Sequence, residues 1–181
     1  MSESKRICFL GLGTIGGPMA RHLAEAGHEV IVHDRGDERA EAWIAADTSG
    51  AIRVPTPASG AEGADAVIAC DEDVETMFLG EYGALASMQE GALLIDHTAV
   101  STSLARRLAE EAFARKVHAV DAPVLGGQAG AENGTLVIMC GGSDEALALA
   151  RPLMEVYAAR IVHVGPAGAG PAAQMAEQDQ V

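Results

Sequence analysis

Gly11-Leu12-Gly13-Thr14-Ile15-Gly16 has the spacing G-x-G-x-x-G. It follows an apolar run, Arg6-Ile7-Cys8-Phe9-Leu10, that reads as a strand, and it opens a segment with Met19, Leu23 and Ala26 at helical spacing. In that setting each glycine has its own task. Gly11 permits the tight turn, Gly13 lets the backbone approach a pyrophosphate, and Gly16 lets the helix pack close on the strand. Bare amide N–H groups and the positive end of the helix dipole then face an anion. A strand–helix turn with no ligand is the plainer alternative. The next strand ends Val32-His33-Asp34, and Asp34 falls near the ~20-residue distance at which a carboxylate meets the ribose 2′-OH of a dinucleotide. A carboxylate there repels a 2′-phosphate and argues for NAD. Arg35 follows at once and could accept a phosphate or stack on adenine, so NADP stays open. For Asp34 the alternative without a ligand is an Asx turn at the strand end.

These residues need a scaffold, and the pattern supplies one. Apolar runs at 6–10, 28–33, 52–54, 66–70, 93–96, 118–123, 136–140 and 161–164 read as strands. Helical stretches fall at 16–26, 38–46, 102–116 and 143–157, with broken helices over 74–88. The 102–116 helix puts Leu104, Leu108 and Ala112 on one face and Arg106 and Arg107 toward water. Ser143 reads as an N-cap, with Asp144 and Glu145 complementing the helix dipole. Trp43 is expected beneath the second helix. Ser59-Gly60, Gly126-Gly127 and Gly165-Pro166 read as loops. Strand–helix alternation of this kind predicts an α/β fold, a Rossmann-type doubly wound, mainly parallel sheet with helices on both faces.

Length and charge narrow the functions. The chain has 181 residues, enough for one domain with a sizeable core. Twelve Lys and Arg stand against 26 Asp and Glu, a formal charge of −14. So acidic a surface repels nucleic acid and anionic lipid, and neither is an expected partner. No apolar run reaches the ~18 residues of a spanning helix. The residues around Met1-Ser2 lack a signal peptide's apolar stretch, so the expected location is cytoplasmic. Cys8, Cys70 and Cys140 are far apart and odd in number, which suits buried thiols rather than disulfides or zinc. Asp71-Glu72-Asp73 reads as a solvated loop with one carboxylate capping the next helix. His33, His97, His118 and His163 read as structural histidines, and Met19, Met139 and Met154 as core.

Together these motifs resemble the β-hydroxyacid dehydrogenases, the family of 3-hydroxyisobutyrate dehydrogenase and tartronate semialdehyde reductase, more distantly of 6-phosphogluconate dehydrogenase. Gly11 through Ala20 looks like the N-terminal signature, with Ile15 where Met is usual, and Ala26-Gly27-His28-Glu29-Val30 continues it. Asp121-Ala122-Pro123-Val124-Leu125-Gly126-Gly127 is similar to the substrate-loop signature. Ala131 through Leu136, Met139-Cys140-Gly141-Gly142 and His163 through Gly170 follow in family order. The resemblance implies a two-domain oxidoreductase that passes hydride between NAD(P) and a small 3-hydroxy acid. It implies that residues 1–166 are the cofactor domain and that 167–181 begin the helix leading to a second, all-helical domain that usually dimerises, so a homodimer is a possible assembly.

The departures from the family pattern fall on its chemistry. The resemblance puts a catalytic Lys at the position of Gln174, an Asn pair at Glu177-Gln178, a carboxylate-binding Ser at Leu125 and a nicotinamide-side Thr at Ala99, while Thr98 is kept. A carboxamide donates a hydrogen bond but does not shuttle protons at neutral pH. Leu125 offers a substrate carboxylate no donor, although the Gly126 and Gly127 amides can still form an anion nest. The loop after Cys70 is also about three residues short of the family's. Three readings follow: the cofactor domain of a 3-hydroxyacid dehydrogenase, a dinucleotide-binding module without turnover, or a reductase of altered chemistry such as imine reduction.

Overall fold

A computed structural model describes residues 3–47 and 49–180. Met1, Ser2 and Val181, which enter the expectations for the two chain ends, lie outside the described residues. The first strand, β1 (Arg6–Leu10), leads into α1 (Gly16–Glu25), and β2 (Glu29–His33) into α2 (Asp37–Ala46). Then come β3 (Ile52–Arg53), α3 (Pro57–Ala61), β4 (Ala66–Ala69), α4 (Val74–Leu79) and a short 3-10 turn at Ala84–Ala86. Next are β5 (Leu93–Asp96), α5 (Thr102–Ala114), β6 (His118–Asp121), β7 (Val124–Leu125) and α6 (Gly127–Asn133). The described chain closes with β8 (Leu136–Gly141), α7 (Asp144–Met154), β9 (Ala158–Gly165) and α8 (Ala169–Gln178).

The strands form one sheet in the order β3-β2-β1-β4-β5-β6-β8-β7, with β9 paired to β8. From β3 to β6 every neighbour is parallel, and the order reverses between β1 and β4, leaving a crevice at the carboxyl ends of those two strands. Strand β8 runs antiparallel to β6 and β7 and parallel to β9. The fold is therefore the expected mainly parallel, Rossmann-like α/β sheet.

Alternation along the strands builds two cores. Ile7 and Phe9 of β1 lie on one face of the sheet, in a single apolar cluster with Met19 and Leu23 of α1, Trp43 of α2, Leu153 of α7 and Tyr157 beyond it. Cys8 and Leu10 face the other way, toward Ala61, Phe78, Leu85 and Leu108. Each side chain of this size buried contributes about 1.5–3 kcal/mol. Trp43 also donates from Nε1 to the Gly17 carbonyl at 2.9 Å, locking α2 onto α1.

Several local expectations change. Ser59 and Gly60 are inside α3, because Thr56 caps that helix in a reciprocal capping box with Ser59. Gly127 starts a helix rather than continuing a loop. Strand β9 begins at Ala158, three residues ahead of the expected start at Ile161. The fifth helix stops at Ala114, ahead of Lys116, which takes a left-handed conformation with φ 56°. No helix among the described residues is long and apolar enough to cross a membrane.

Candidate functional site

At the crevice, the Gly11 amide donates to the His33 carbonyl at 2.9 Å, tying the turn to the end of β2. Gly11 has φ +95°, and a Cβ there would overlap the Cys70 carbonyl. A Cβ on Gly16 would overlap the Gly11 carbonyl. Both glycines are thus required by packing. Gly13 is not: a Cβ there would meet only the Arg39 guanidinium, at 3.5 Å, an ordinary contact. The helix α1 begins after Ile15 with no side-chain cap; the Gly17 amide donates to the Gly13 carbonyl at 2.9 Å and Pro18 has no N–H, so the donors left for another acceptor are those of the turn that ends at Gly16. A cleft of about 680 Å³ opens over this turn, walled by Gly13, Thr14, Arg35, Arg39, Cys70 and Asp71. The residues fit a diphosphate: bare amides at a helix start, and space above the one glycine that the chain's own packing does not require.

The residues expected at the ribose are all here, differently engaged. Asp34 Oδ2 accepts from the Leu12 amide and Oδ1 from the Gly36 amide, both at 2.7 Å. The second bond is the Asx turn. Its side chain is 1% exposed, with Arg39 Nη1 at 3.6 Å. Arg35 grips Asp71 through Nη2 at 2.8 Å and Nε at 3.3 Å. That hydrogen bond, then the Asp71 charge, raises the Arg35 pKa. Asp71 is therefore no solvated loop residue; its side chain is 6% exposed, and Oδ1 also accepts from the Asp73 amide. Asp73 stands at the N-cap of α4 without a side-chain cap bond. Cys70 is half-buried on the cleft wall rather than fully buried, with its thiol pushed up to about 12 by burial and then by the nearby carboxylates of Asp96 and Asp71. Thr98 is tied to that wall by its Oγ1, which donates to the Asp71 carbonyl at 3.1 Å. Ala99 is exposed beside it.

A second group gathers where α8 meets the strand β7. Gln174 is 8% exposed and donates from Nε2 to the Val124 carbonyl at 3.3 Å, which brings it against the Leu125 segment. Gly126 and Gly127 are exposed, with φ 126° and 60°, both in the left-handed region. Asp121 secures α8, accepting the Gly168 amide at 2.7 Å and the Gly170 amide at 2.9 Å.

Beneath both groups lies a buried polar chain. His97 Nδ1 meets the Ala122 carbonyl at 2.7 Å and Nε2 meets the Tyr157 hydroxyl at 2.8 Å. A carbonyl only accepts, so Nδ1 carries the proton and Tyr157 donates to Nε2. Burial pushes His97 down to about 4, keeping it neutral, which suits the structural role expected of it.

Sequence reasoning missed Arg39, Asp71 and Tyr157 as members of these networks. Arg39 had a signal. It sits in the first turn of α2, where a cation opposes the helix dipole unless an anion is near. Asp71 and Tyr157 had none, since their partners are distant in the chain.

An open sheet whose strand order reverses above a glycine turn defines a dinucleotide-binding α/β domain. The family described as the NAD binding domain of 6-phosphogluconate dehydrogenase matches residues 6–165, and the chain belongs to that family. It is 39% identical to the 3-hydroxyisobutyrate dehydrogenase of Pseudomonas aeruginosa over 169 residues, which are 93% of this chain and 57% of that protein. Among solved structures, Mycobacterium tuberculosis 3-hydroxyisobutyrate dehydrogenase with L-serine superposes with a TM-score of 0.90 at 34% identity, over 97% of this chain and 59% of that one. Psf3 in complex with NADP+ and 2-OPP superposes with a TM-score of 0.85 at 26% identity, over 94% of this chain and 61% of that one. The chain thus spans about 60% of the length of such relatives.

Proposed function

We propose that this chain is the NAD(P)-binding domain of a 3-hydroxyacid dehydrogenase-like oxidoreductase, with residues 167–181 beginning the helix toward a second domain. The observation that carries the reading is Gly13, a glycine that nothing in the chain's own packing demands, at the floor of an open cleft beside an uncapped helix. A bound nicotinamide dinucleotide would supply hydride exchange. The chain's residues supply the rest: Gly13 to Gly16 hold the diphosphate, Thr98 and Ala99 border the nicotinamide side, and the Gly126-Gly127 amides face a substrate carboxylate. Gln174 takes the family's Lys position as a hydrogen-bond donor already committed to Val124, so it moves no proton. That commitment favours a second reading, a dinucleotide-binding module that does not itself turn over 3-hydroxy acids.

Fluorescence titration with NADH and NADPH tests the binding, and an assay with 3-hydroxyisobutyrate and L-serine tests turnover. Binding in the micromolar-to-millimolar range with negligible turnover is expected. Gly13→Ala should leave the melting temperature within a degree or two and weaken dinucleotide binding at least about tenfold, as a methyl group displaces phosphate from charge-assisted amide bonds. Unchanged binding by Gly13→Ala would overturn the cradle, and robust turnover would overturn the inactive-module reading.

A further inference from the structure

We infer that Arg35 and Arg39, rather than Asp34, read the ribose end of this cleft, and that the site prefers the 2′-phosphorylated dinucleotide. The inference rests on the reading that the cleft holds a nicotinamide dinucleotide, and it reverses the preference for NAD that Asp34 suggests in the sequence.

Asp34 is spent within the fold. Its two oxygens already accept the Leu12 and Gly36 amides, and only 1% of its side chain reaches solvent. A ribose diol needs an accessible carboxylate edge, and none is presented. What Asp34 does is brace the glycine turn against the end of β2. Its negative charge is also shared with two amides and the neighbouring Arg39, so it repels an approaching phosphate weakly.

The two arginines are the opposite case. Their side chains are 51% and 58% exposed, and both wall the cleft above Gly13 and Thr14. Arg35 commits only its Nε and Nη2 edge to Asp71, which fixes the guanidinium plane and leaves the Nη1 end of the fork to a ligand. Arg39 makes no close pair; 3.6 Å from Asp34 is a charge contact beyond good hydrogen-bond length. A third arginine, Arg53 on β3, shares the adjoining hollow with Arg35 and Asp34 and is tied to Asp37. In a chain with twelve Lys and Arg and a net charge of −14, three arginines gather beside the end of β2, from the loop after it, from α2 and from β3, and they balance Asp71, Asp34 and Asp37 there. The matching ligand group is a dianionic phosphate monoester, which offers three oxygens to two planar forks. A 2′-hydroxyl would leave both forks unused.

The test uses fragments, so it reads binding alone. Calorimetry with adenosine 2′,5′-bisphosphate and adenosine 5′-monophosphate, which differ only in the 2′-phosphate, should show the former binding about tenfold or more tighter. Arg35→Ala and, separately, Arg39→Ala should shrink that ratio, with circular dichroism confirming the fold of each half-exposed variant. Asp34→Asn should weaken both fragments by the same factor and lower the melting temperature, because it loosens the turn rather than a ribose contact. Equal affinity of the two fragments, or a loss for Asp34→Asn confined to the 5′-monophosphate, would overturn the inference while leaving the dinucleotide reading intact. Binding of neither fragment would overturn both.

Discussion

Asp96 shows how much a single carboxyl can set. It closes β5 at 2% exposure; Oδ1 accepts from the Thr98 amide, and Oδ2 has no partner. Burial pushes its pKa up to about 7, against relief from Thr98 and a further push from Asp121 on the neighbouring strand. The folded group thus keeps its proton to about pH 7, whereas the unfolded one releases it near 3.8. Between those values the native state binds more protons, so Asp96 subtracts stability as pH rises and stops doing so above about 7. His97 acts in the opposite sense between about 4 and 6.5, since its folded pKa is depressed and its charged form is lost on folding. The two offset over most of that range, and whole-protein stability conceals both. Asp96→Asn removes one of them. Its melting temperature relative to the parent should therefore rise from pH 5 to pH 8 by several degrees, a difference on the order of a few kcal/mol. A constant offset across that range would mean that Asp96 is ionised in the folded protein at pH 5.

Among the elements, α8 depends most on one tether. Its N-cap is Gly168, which brings no side chain to the task, and Asp121 accepts from the Gly168 and Gly170 amides in its place. Asp121→Ala should raise the amide exchange rates of Gly168 and Gly170 by tenfold or more, while β1 and β4 keep their protection. Equal loss of protection across the sheet would instead make Asp121 a keystone of the whole fold. The strands and the long helices were legible in the sequence because each carries its own period: Ile7 and Phe9 alternate with Cys8 and Leu10, and of the expected face of α5 Leu108 and Ala112 are buried, while Leu104 is half-buried and Ala105 takes the inner place beside it. The short helices were not. At Pro57–Ala61 the cap residue Thr56 outweighs the Ser59-Gly60 pair that reads as a loop. At the cleft, the glycine turn was legible and its charge network was not. Arg35–Asp71 and Thr98–Asp71 join loops brought together only by the strand order, so no local pattern announces them.

For the molecule as a whole, two electrostatic scales compete at the cleft. Close in, Arg35 and Arg39 offer directed N–H groups. Farther out, Arg35, Arg39 and Arg53 already stand beside Asp71, Asp34 and Asp37, so the approaching ligand meets the field of a chain carrying −14. A dinucleotide is itself an anion. At 10 mM salt the screening length is about 30 Å, and the whole acidic surface repels it; at 150 mM it is about 8 Å, and only the cleft is felt. The usual steering of a charged ligand therefore runs backwards here. Stopped-flow association rates for NADPH should rise between 10 and 150 mM salt, by about threefold to tenfold, because screening removes repulsion over a long path and little attraction at its end. The dissociation rate should change less, since the bonds that hold the ligand are short and partly shielded. An association rate that falls with salt would show that the arginine cluster outweighs the rest of the surface even at a distance, and that the local pairs leave more positive potential than their geometry implies.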